Sequence, residues 1–224
     1  MKSIEKQTLE FLSELKSNNN KEWFDRNRVR YERARKDYGS YVTAILEALS
    51  DFDPTIRGLG VQSCTYRINR DIRFTEDKTP YKTHLGAFIV KGGKRFGDRY
   101  AGYYIHVEPD GNSMIAGGAY MPPMPWLREI REKIDTDGNR LTEIINDREF
   151  VDFYGSIEGE KLKGAPRGFT TDHPHIGLLR MKSFLVTRMI PDSTIISTEG
   201  FELVIKASRL MKPLNDFLND YQAV

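Results

Sequence analysis

The sequence predicts an α+β fold: one antiparallel sheet of about five strands, flanked by N-terminal and C-terminal helices. Three observations carry that expectation. Apolar residues recur at helical spacing before residue 53 and again after Pro123. Between residues 64 and 120 they alternate with polar residues, the period of a strand. The connections in that middle region are too short for the crossovers that parallel strands need. The expected organisation is a single domain over residues 1–224, with a helical part at 1–53, a β-meander at 64–120, and helices plus one strand at 123–224.

Ile4, Thr8, Phe11, Leu12 and Leu15 share one helical face. Asn18-Asn19-Asn20 stops that helix and offers a cap to the next, expected from Lys21 to Phe52. Tyr38, Tyr41, Val42, Ile45, Leu46, Leu49 and Phe52 make a stripe along its second half. Its first half, Glu22 to Asp37, is charged and is expected to project over a surface. Asp53-Pro54 ends it. Tyr66, Ile68, Ile72 and Phe74 alternate with Arg67, Asn69, Asp71 and Arg73 in a first strand. Gly86 to Lys91, Tyr100 to Glu108 and Asn112 to Tyr120 supply three more. Gly92-Gly93 makes a turn, and Pro109-Asp110-Gly111 a hairpin. Pro122-Pro123 opens a helix on Trp126, Leu127, Ile130 and Ile134. Leu141 to Phe153 reads as another helix, and Ser156 to His175 as loop. Lys182 to Ile190 is the fifth strand. The last helix uses Phe201, Val204, Ile205, Met211, Leu214, Phe217, Leu218 and Tyr221, with Pro213 expected to kink or restart it.

The composition is that of a folded domain: 39% hydrophobic and 29% charged residues, with eleven Tyr and twelve Phe to fill a core. The single cysteine, Cys64, excludes an intrachain disulfide and reads as a small buried residue. Residues 1–6 lack a signal-peptide core, and no apolar run approaches the roughly 20 residues of a membrane helix. The expectation is a soluble, cytoplasmic protein without a membrane partner. Charge is uneven. Residues 66–99 hold nine Lys/Arg against four acids, an excess of +5 in a chain of net +2, which leaves −3 elsewhere. One basic segment in a near-neutral chain suggests a local anion site rather than a general nucleic-acid binder.

That segment is the leading candidate for function. Arg67 and Arg73 fall on one strand face with Asn69 and Asp71, while strict alternation puts Arg70 on the apolar face. A buried cation costs on the order of several kcal/mol unless it is paired or bound. The turn Asp77-Lys78-Thr79-Pro80-Tyr81, followed by Lys82 and His84, adds further titratable groups. The expected pocket takes a phosphorylated or carboxylated small molecule. Arg67, Arg70, Arg73, Lys78 and Lys82 form the clamp, and Tyr81 and His84 are polar partners. Should the site be catalytic, His84 or Asp71 is the candidate proton carrier.

Four passages show a resemblance. They are Phe11-Leu12 with Asn19-Asn20-Lys21-Glu22-Trp23-Phe24; Arg67-Ile68-Asn69-Arg70-Asp71-Ile72-Arg73-Phe74; Asp77-Lys78-Thr79-Pro80-Tyr81-Lys82-Thr83-His84; and Gly117-Gly118 with the proline that follows. In these the chain resembles the domain-of-unknown-function family 2461 (DUF2461), uncharacterised bacterial and fungal proteins, over nearly its whole length. The resemblance implies one compact α+β unit and no activity.

Competing readings stand beside the pocket. The arginines pair with Asp71, Glu76, Asp77 or acids of the second helix and serve only the fold. The charged helix and the basic loop from Lys91 to Arg99 face a protein or nucleic acid in a non-catalytic module. Glu76-Asp77-Lys78 with Asp71 upstream matches a metal-dependent nuclease pattern, but four residues between the acids would need a sharp bend. Asp172-His173-Pro174-His175 offers a metal edge or a capped helix start, with Asp172 as the cap. No metal site and no cofactor is expected. Trp23 and Phe24 read as a staple to the core, with stacking of a planar ligand as the alternative. Gly117-Gly118 marks a bulge or a close approach of another backbone or a ligand.

Overall fold

The computed structural model describes residues 2–220. The elements are α1 (Lys6–Ser17), α2 (Lys21–Arg26), α3 (Arg28–Ser50), α4 (Val61–Cys64), β1 (Leu85–Ile89), β2 (Gly102–Val107), β3 (Ser113–Ala119), α5 (Met124–Asn146), α6 (Arg148–Tyr154), α7 (Ile176–Leu179), β4 (Phe184–Ile190), α8 (Asp192–Ile195) and α9 (Thr198–Asn219). The strands form one antiparallel sheet in the order β1-β2-β3-β4. The α+β expectation therefore holds, with four strands among the described residues where about five were expected.

The missing strand is the arginine-bearing one. Residues 65–74 make only isolated bridges, Thr65 with Ala87 and Asn69 with Tyr81. Alternation there does not track burial. Ile68 is buried, but Tyr66 is 41% exposed and Phe74 is 93% exposed. An apolar face without a facing layer gives a strand nothing to pack on.

The long second helix is broken at Asn27, whose backbone leaves the helical region and whose side-chain amide donates to the Trp23 carbonyl at 3.0 Å. Asn20 caps α2 as expected, accepting from the Trp23 amide at 2.9 Å. Asp37 does not face solvent: it is buried beneath α1, where it accepts from the Glu5 amide (2.9 Å) and the Thr8 hydroxyl (2.6 Å). It thereby serves one amide and one hydroxyl at the start of a helix that has no cap of its own. Helix α5 runs past the expected break, bending at Asp137 and ending at Asn146. Asp147 then caps α6, accepting from the Phe150 amide at 3.0 Å. Pro213, expected to kink or restart α9, lies inside one continuous helix and does not restart it. It sits on the exposed side, between buried Met211 and Leu214, where water can take the carbonyl it leaves unpaired. Tyr221, expected on this helix, lies outside the described residues.

Period two sorts the sheet into two faces. Leu85, Ala87 and Ile89 of β1, Tyr103, Ile105 and Val107 of β2, Ile115 of β3, and Phe184, Val186 and Ile190 of β4 are buried on the inner face. Helices α3 and α9 cover it. The hydroxyl of Tyr38 donates to the Ile105 carbonyl at 2.9 Å, and that of Tyr103 to Asp53 at 2.9 Å, so these two buried phenols are satisfied, whereas the buried Tyr41 hydroxyl has no partner among the described residues. Gly118 lies in unbroken β3–β4 register with φ +107, and a Cβ there would overlap the Phe184 carbonyl. Close backbone approach, not a bulge, is its reason. Gly86, Phe88, Tyr104, His106, Met114, Ala116, Leu185 and Thr187 share the opposite, outer face.

Short irregular segments meet both rims of the sheet. The Tyr66 amide donates to the Gly86 carbonyl of β1 at 2.9 Å. Glu158 exchanges both backbone bonds with Leu185 of β4, at 2.7 and 3.0 Å. No helix among the described residues is long and apolar enough to cross a membrane.

Candidate functional site

Residues 65–84 form an irregular flap against β1. Its two arms are tied by the Arg70 amide to the Pro80 carbonyl (2.9 Å) and the Lys82 amide to the Ile68 carbonyl (2.8 Å). The N-terminal helices anchor its base. The Tyr81 ring stacks on Phe24 with centroids 3.9 Å apart and planes at 13°. The Asn19 side chain bonds the Tyr81 backbone twice, donating to its carbonyl (2.8 Å) and accepting from its amide (3.1 Å). A carboxamide so placed imitates a neighbouring strand. Tyr81, expected as a polar partner for a ligand, is thus buried as a structural anchor. Trp23 and Phe24 both pack on Phe11, the staple arrangement.

The five expected cations split into two groups. At the tip, Arg73 is matched by Asp71 at 2.7 Å, and Arg70 by Asp77 and the Thr79 hydroxyl. Lys78 donates to the Ile72 carbonyl at 3.0 Å. Asp71 is therefore engaged by Arg73, and Asp77 by Arg70. At the base, Lys82 donates to the Arg67 carbonyl at 3.1 Å and lies over the Tyr66 ring, 5.3 Å from its centroid. Neither Lys82 nor Arg67 has a carboxylate within ion-pair distance among the described residues. Burial, then the nearby Arg67 guanidinium, holds the Lys82 ammonium below its usual range.

The Asp77 carboxyl is pulled down to about 2 by the Thr79 amide, then by Arg70 and the Thr79 hydroxyl. A depressed acid stabilises the fold above its unfolded value near 4 and ceases to do so as pH falls through the folded value. The side-chain carboxyl of Asp77 should therefore titrate by NMR with a midpoint of about 2 in the native protein. Arg70→Gln should raise that midpoint. An ordinary midpoint in the native protein would disprove the Asp77 network.

Beside Lys82 lies a cluster that the sequence reading did not assemble. Tyr104, His106 and Glu108 alternate along β2 and its end, so all three side chains leave the sheet on its outer face. The His106 Nε2 lies 2.9 Å from Glu108 Oε2, and its Nδ1 3.1 Å from the Tyr104 hydroxyl. Because an ionised carboxylate only accepts, Nε2 carries the hydrogen in neutral His106 and Nδ1 accepts from Tyr104. The Thr83 hydroxyl donates to the other Glu108 oxygen at 2.8 Å. Gly86, opposite His106, makes room: a Cβ there would stand 2.9 Å from the Tyr104 hydroxyl. The His84 ring packs on His106 with centroids 4.2 Å apart and planes tilted by 31°. Its nitrogens find no hydrogen-bond partner among the described residues. Ligand atoms of His84, His106 and Glu108 lie within 4.8 Å of one another, the one such convergence of three His, Cys, Asp or Glu among the described residues.

Burial, followed by His106, holds His84 down to about 4 against the opposing pull of Glu108. Burial works against ionising Glu108, but the bonds from His106 and Thr83 prevail and keep its carboxyl below the usual range. Burial pushes the Tyr104 phenol up to about 12.

Elsewhere, His173 Nε2 lies 3.0 Å from Asp135, and the His175 amide donates to His173 Nδ1 at 3.0 Å. The residue preceding α7 is His175, so Asp172 does not cap that helix. In the basic loop, Lys91 lies over Tyr100, Arg95 over Phe96, and Lys94 donates to the Gln62 carbonyl. Cys64 is buried. A cleft of about 1460 Å³ opens between the start of α5, β4 and the loop around Arg167, away from the flap. The buried Arg131 on its wall donates to the Leu179 and Met181 carbonyls.

A family model described as "Conserved hypothetical protein (DUF2461)" matches residues 7–217. No curated protein and no solved structure matches the chain.

Proposed function

Starting from a chain that belongs to the DUF2461 family of conserved hypothetical proteins, we propose that this protein binds a phosphorylated or carboxylated small molecule at the base of the flap, between Arg67 and Lys82. One observation carries the reading. These two cations lie together with no carboxylate at ion-pair distance among the described residues, whereas Arg70 and Arg73 at the tip are each neutralised by one. Like charges held side by side repel, and an anion between them removes that repulsion. The guanidinium offers a planar fork to two oxygens of a phosphate or carboxylate, and the ammonium a third point of charge. Of the acids around it, Glu108 is engaged by His106 and Thr83, and Asp71 by Arg73. The clamp is thus smaller than the sequence suggests: Arg67 and Lys82 serve it, while Arg70, Arg73, Lys78 and Tyr81 hold the flap in shape.

Titration with inorganic phosphate and pyrophosphate, followed by amide NMR shifts, tests this. The wild type should show saturable shifts at residues 66–68 and 82–84. Arg67→Met and Lys82→Met should each weaken binding about tenfold or more, the equivalent of one charge-assisted hydrogen bond. A small-anion site between exposed Arg67 and half-buried Lys82 should respond to added salt less steeply than a nucleic-acid surface. A steep logarithmic salt dependence with oligonucleotides, and none of the phosphate shifts, would instead favour a nucleic-acid surface. Affinity unchanged from the wild type in both Met variants would defeat the proposal.

A further inference from the structure

We propose that His84, His106 and Glu108 bind one transition-metal dication of the zinc class, as two imidazole ligands and one carboxylate, with the remaining coordination positions open. The inference stands apart from the anion reading and does not require it. The donor set comes first. Imidazole nitrogens select zinc and its neighbours over magnesium or calcium, and two histidines with one carboxylate are a sufficient protein shell for a zinc ion that keeps an open position. The spacing fits. Ligand bonds of about 2.1 Å at tetrahedral angles put donors about 3.4 Å apart. The His106–Glu108 pair stands at 2.9 Å, and the three ligand atoms lie within 4.8 Å of each other. An ion therefore seats itself by a slight opening of the His106–Glu108 pair, with His84 already within 4.8 Å of both.

The outer partners are also in place. Tyr104 sits on the far nitrogen of His106, and Thr83 on the free oxygen of Glu108. Such partners orient metal ligands and set the imidazole tautomer. The protons balance. When Nε2 of His106 takes the metal, its hydrogen moves to Nδ1, which then donates to the Tyr104 oxygen. The tyrosine hydrogen turns outward, and no net proton is released. A purely structural account covers the His106–Glu108 pair but not His84. That ring is half-buried and packed at a tilt on His106, with nitrogens unused by any hydrogen bond among the described residues. A ligand role gives it a reason.

The test uses the full chain, freed of metal with a chelator and kept in phosphate-free buffer, so that Arg67 and Lys82 do not enter the result. Zinc is titrated calorimetrically, and cobalt(II) by visible absorption. One ion per chain is expected. His84→Asn and Glu108→Gln should each weaken binding by about 100-fold or more, and Tyr104→Phe by about tenfold, the scale of losing an outer partner. His173→Asn should bind as the wild type does. Because a variant can misfold, the wild type supplies a second measurement: cobalt(II) should broaden or shift the ring-proton signals of His84 and His106 and leave those of His173 and His175 in place. Absence of binding by the wild type, affinity that survives both ligand substitutions, or perturbation confined to His173 and His175 would each overturn the proposal.

Discussion

Phe24→Ala is expected to destabilise the protein by about 3–5 kcal/mol and to loosen the flap that carries the candidate site. Phe24 is buried and touches two bodies. On one side it packs with Phe11 and Tyr31, tying α2 to α1 and α3. On the other it stacks on Tyr81, in the descending arm of the flap. Truncation leaves a ring-sized cavity under Tyr81, and the Asn19 carboxamide remains as the main local link. Two readouts separate the effects. Chemical denaturation gives the global loss. Hydrogen exchange in the native protein should accelerate at the Tyr81 and Lys82 amides more than at β2 or β3, because the flap opens before the sheet does. Uniform acceleration across the sheet would mean that Phe24 supports the core alone, and that the flap is held by something else.

Gly118→Ala is expected to cost about 3 kcal/mol or more. For a chain of this size that lowers the melting temperature by roughly 6–12 °C. Two penalties act together. The backbone at φ +107 is one that side chains other than glycine rarely adopt, and the new methyl would overlap the carbonyl of Phe184 on the adjacent strand. That carbonyl is backbone, so it cannot swing aside as a side chain would. Phe184 is itself fully buried, so a displaced β4 disturbs the core. Gly164→Ala is the control: a Cβ there meets nothing within 4 Å, and the change should stay within about 0.5 kcal/mol. Thermal denaturation of the two variants side by side gives the comparison. Equal melting temperatures would refute the packing argument.

Much of the architecture was legible because the periods are clean. The stripe from Tyr38 to Leu49, the alternation on β2 and β3, and Pro109-Asp110-Gly111 as a hairpin all appear where expected, with Asp110 and Gly111 at positive φ. The flap was misread because alternation says where side chains point, not whether anything faces them. Ile72 and Phe74 have the spacing of a buried face but no layer to bury it. Arg73 and Asp71 neutralise each other two residues apart, a local solution that a strand reading does not reveal. His106 and Glu108 left a signal that could have been followed: Tyr104, His106 and Glu108 alternate with Tyr103, Ile105 and Val107, polar against apolar on one strand. Their meeting with His84 depends on the β1–β2 register, in which Leu85 faces Val107, and that is a tertiary fact. The resemblance passages acquire a physical reason as well. Asn19 and Phe24 in the first hold Tyr81 in the third, and the second passage bonds to the third across the flap.

The segments at the two rims of the sheet bear on how the protein behaves in company. A bare outermost strand is an invitation, since its unpaired amides and carbonyls can recruit a strand from a neighbouring molecule and seed a growing stack. Here Tyr66 already occupies the rim at Gly86, and Glu158 the rim at Leu185. An intruding chain would have to evict a segment of the protein itself before it could add to the sheet, so crowding alone gives it little purchase.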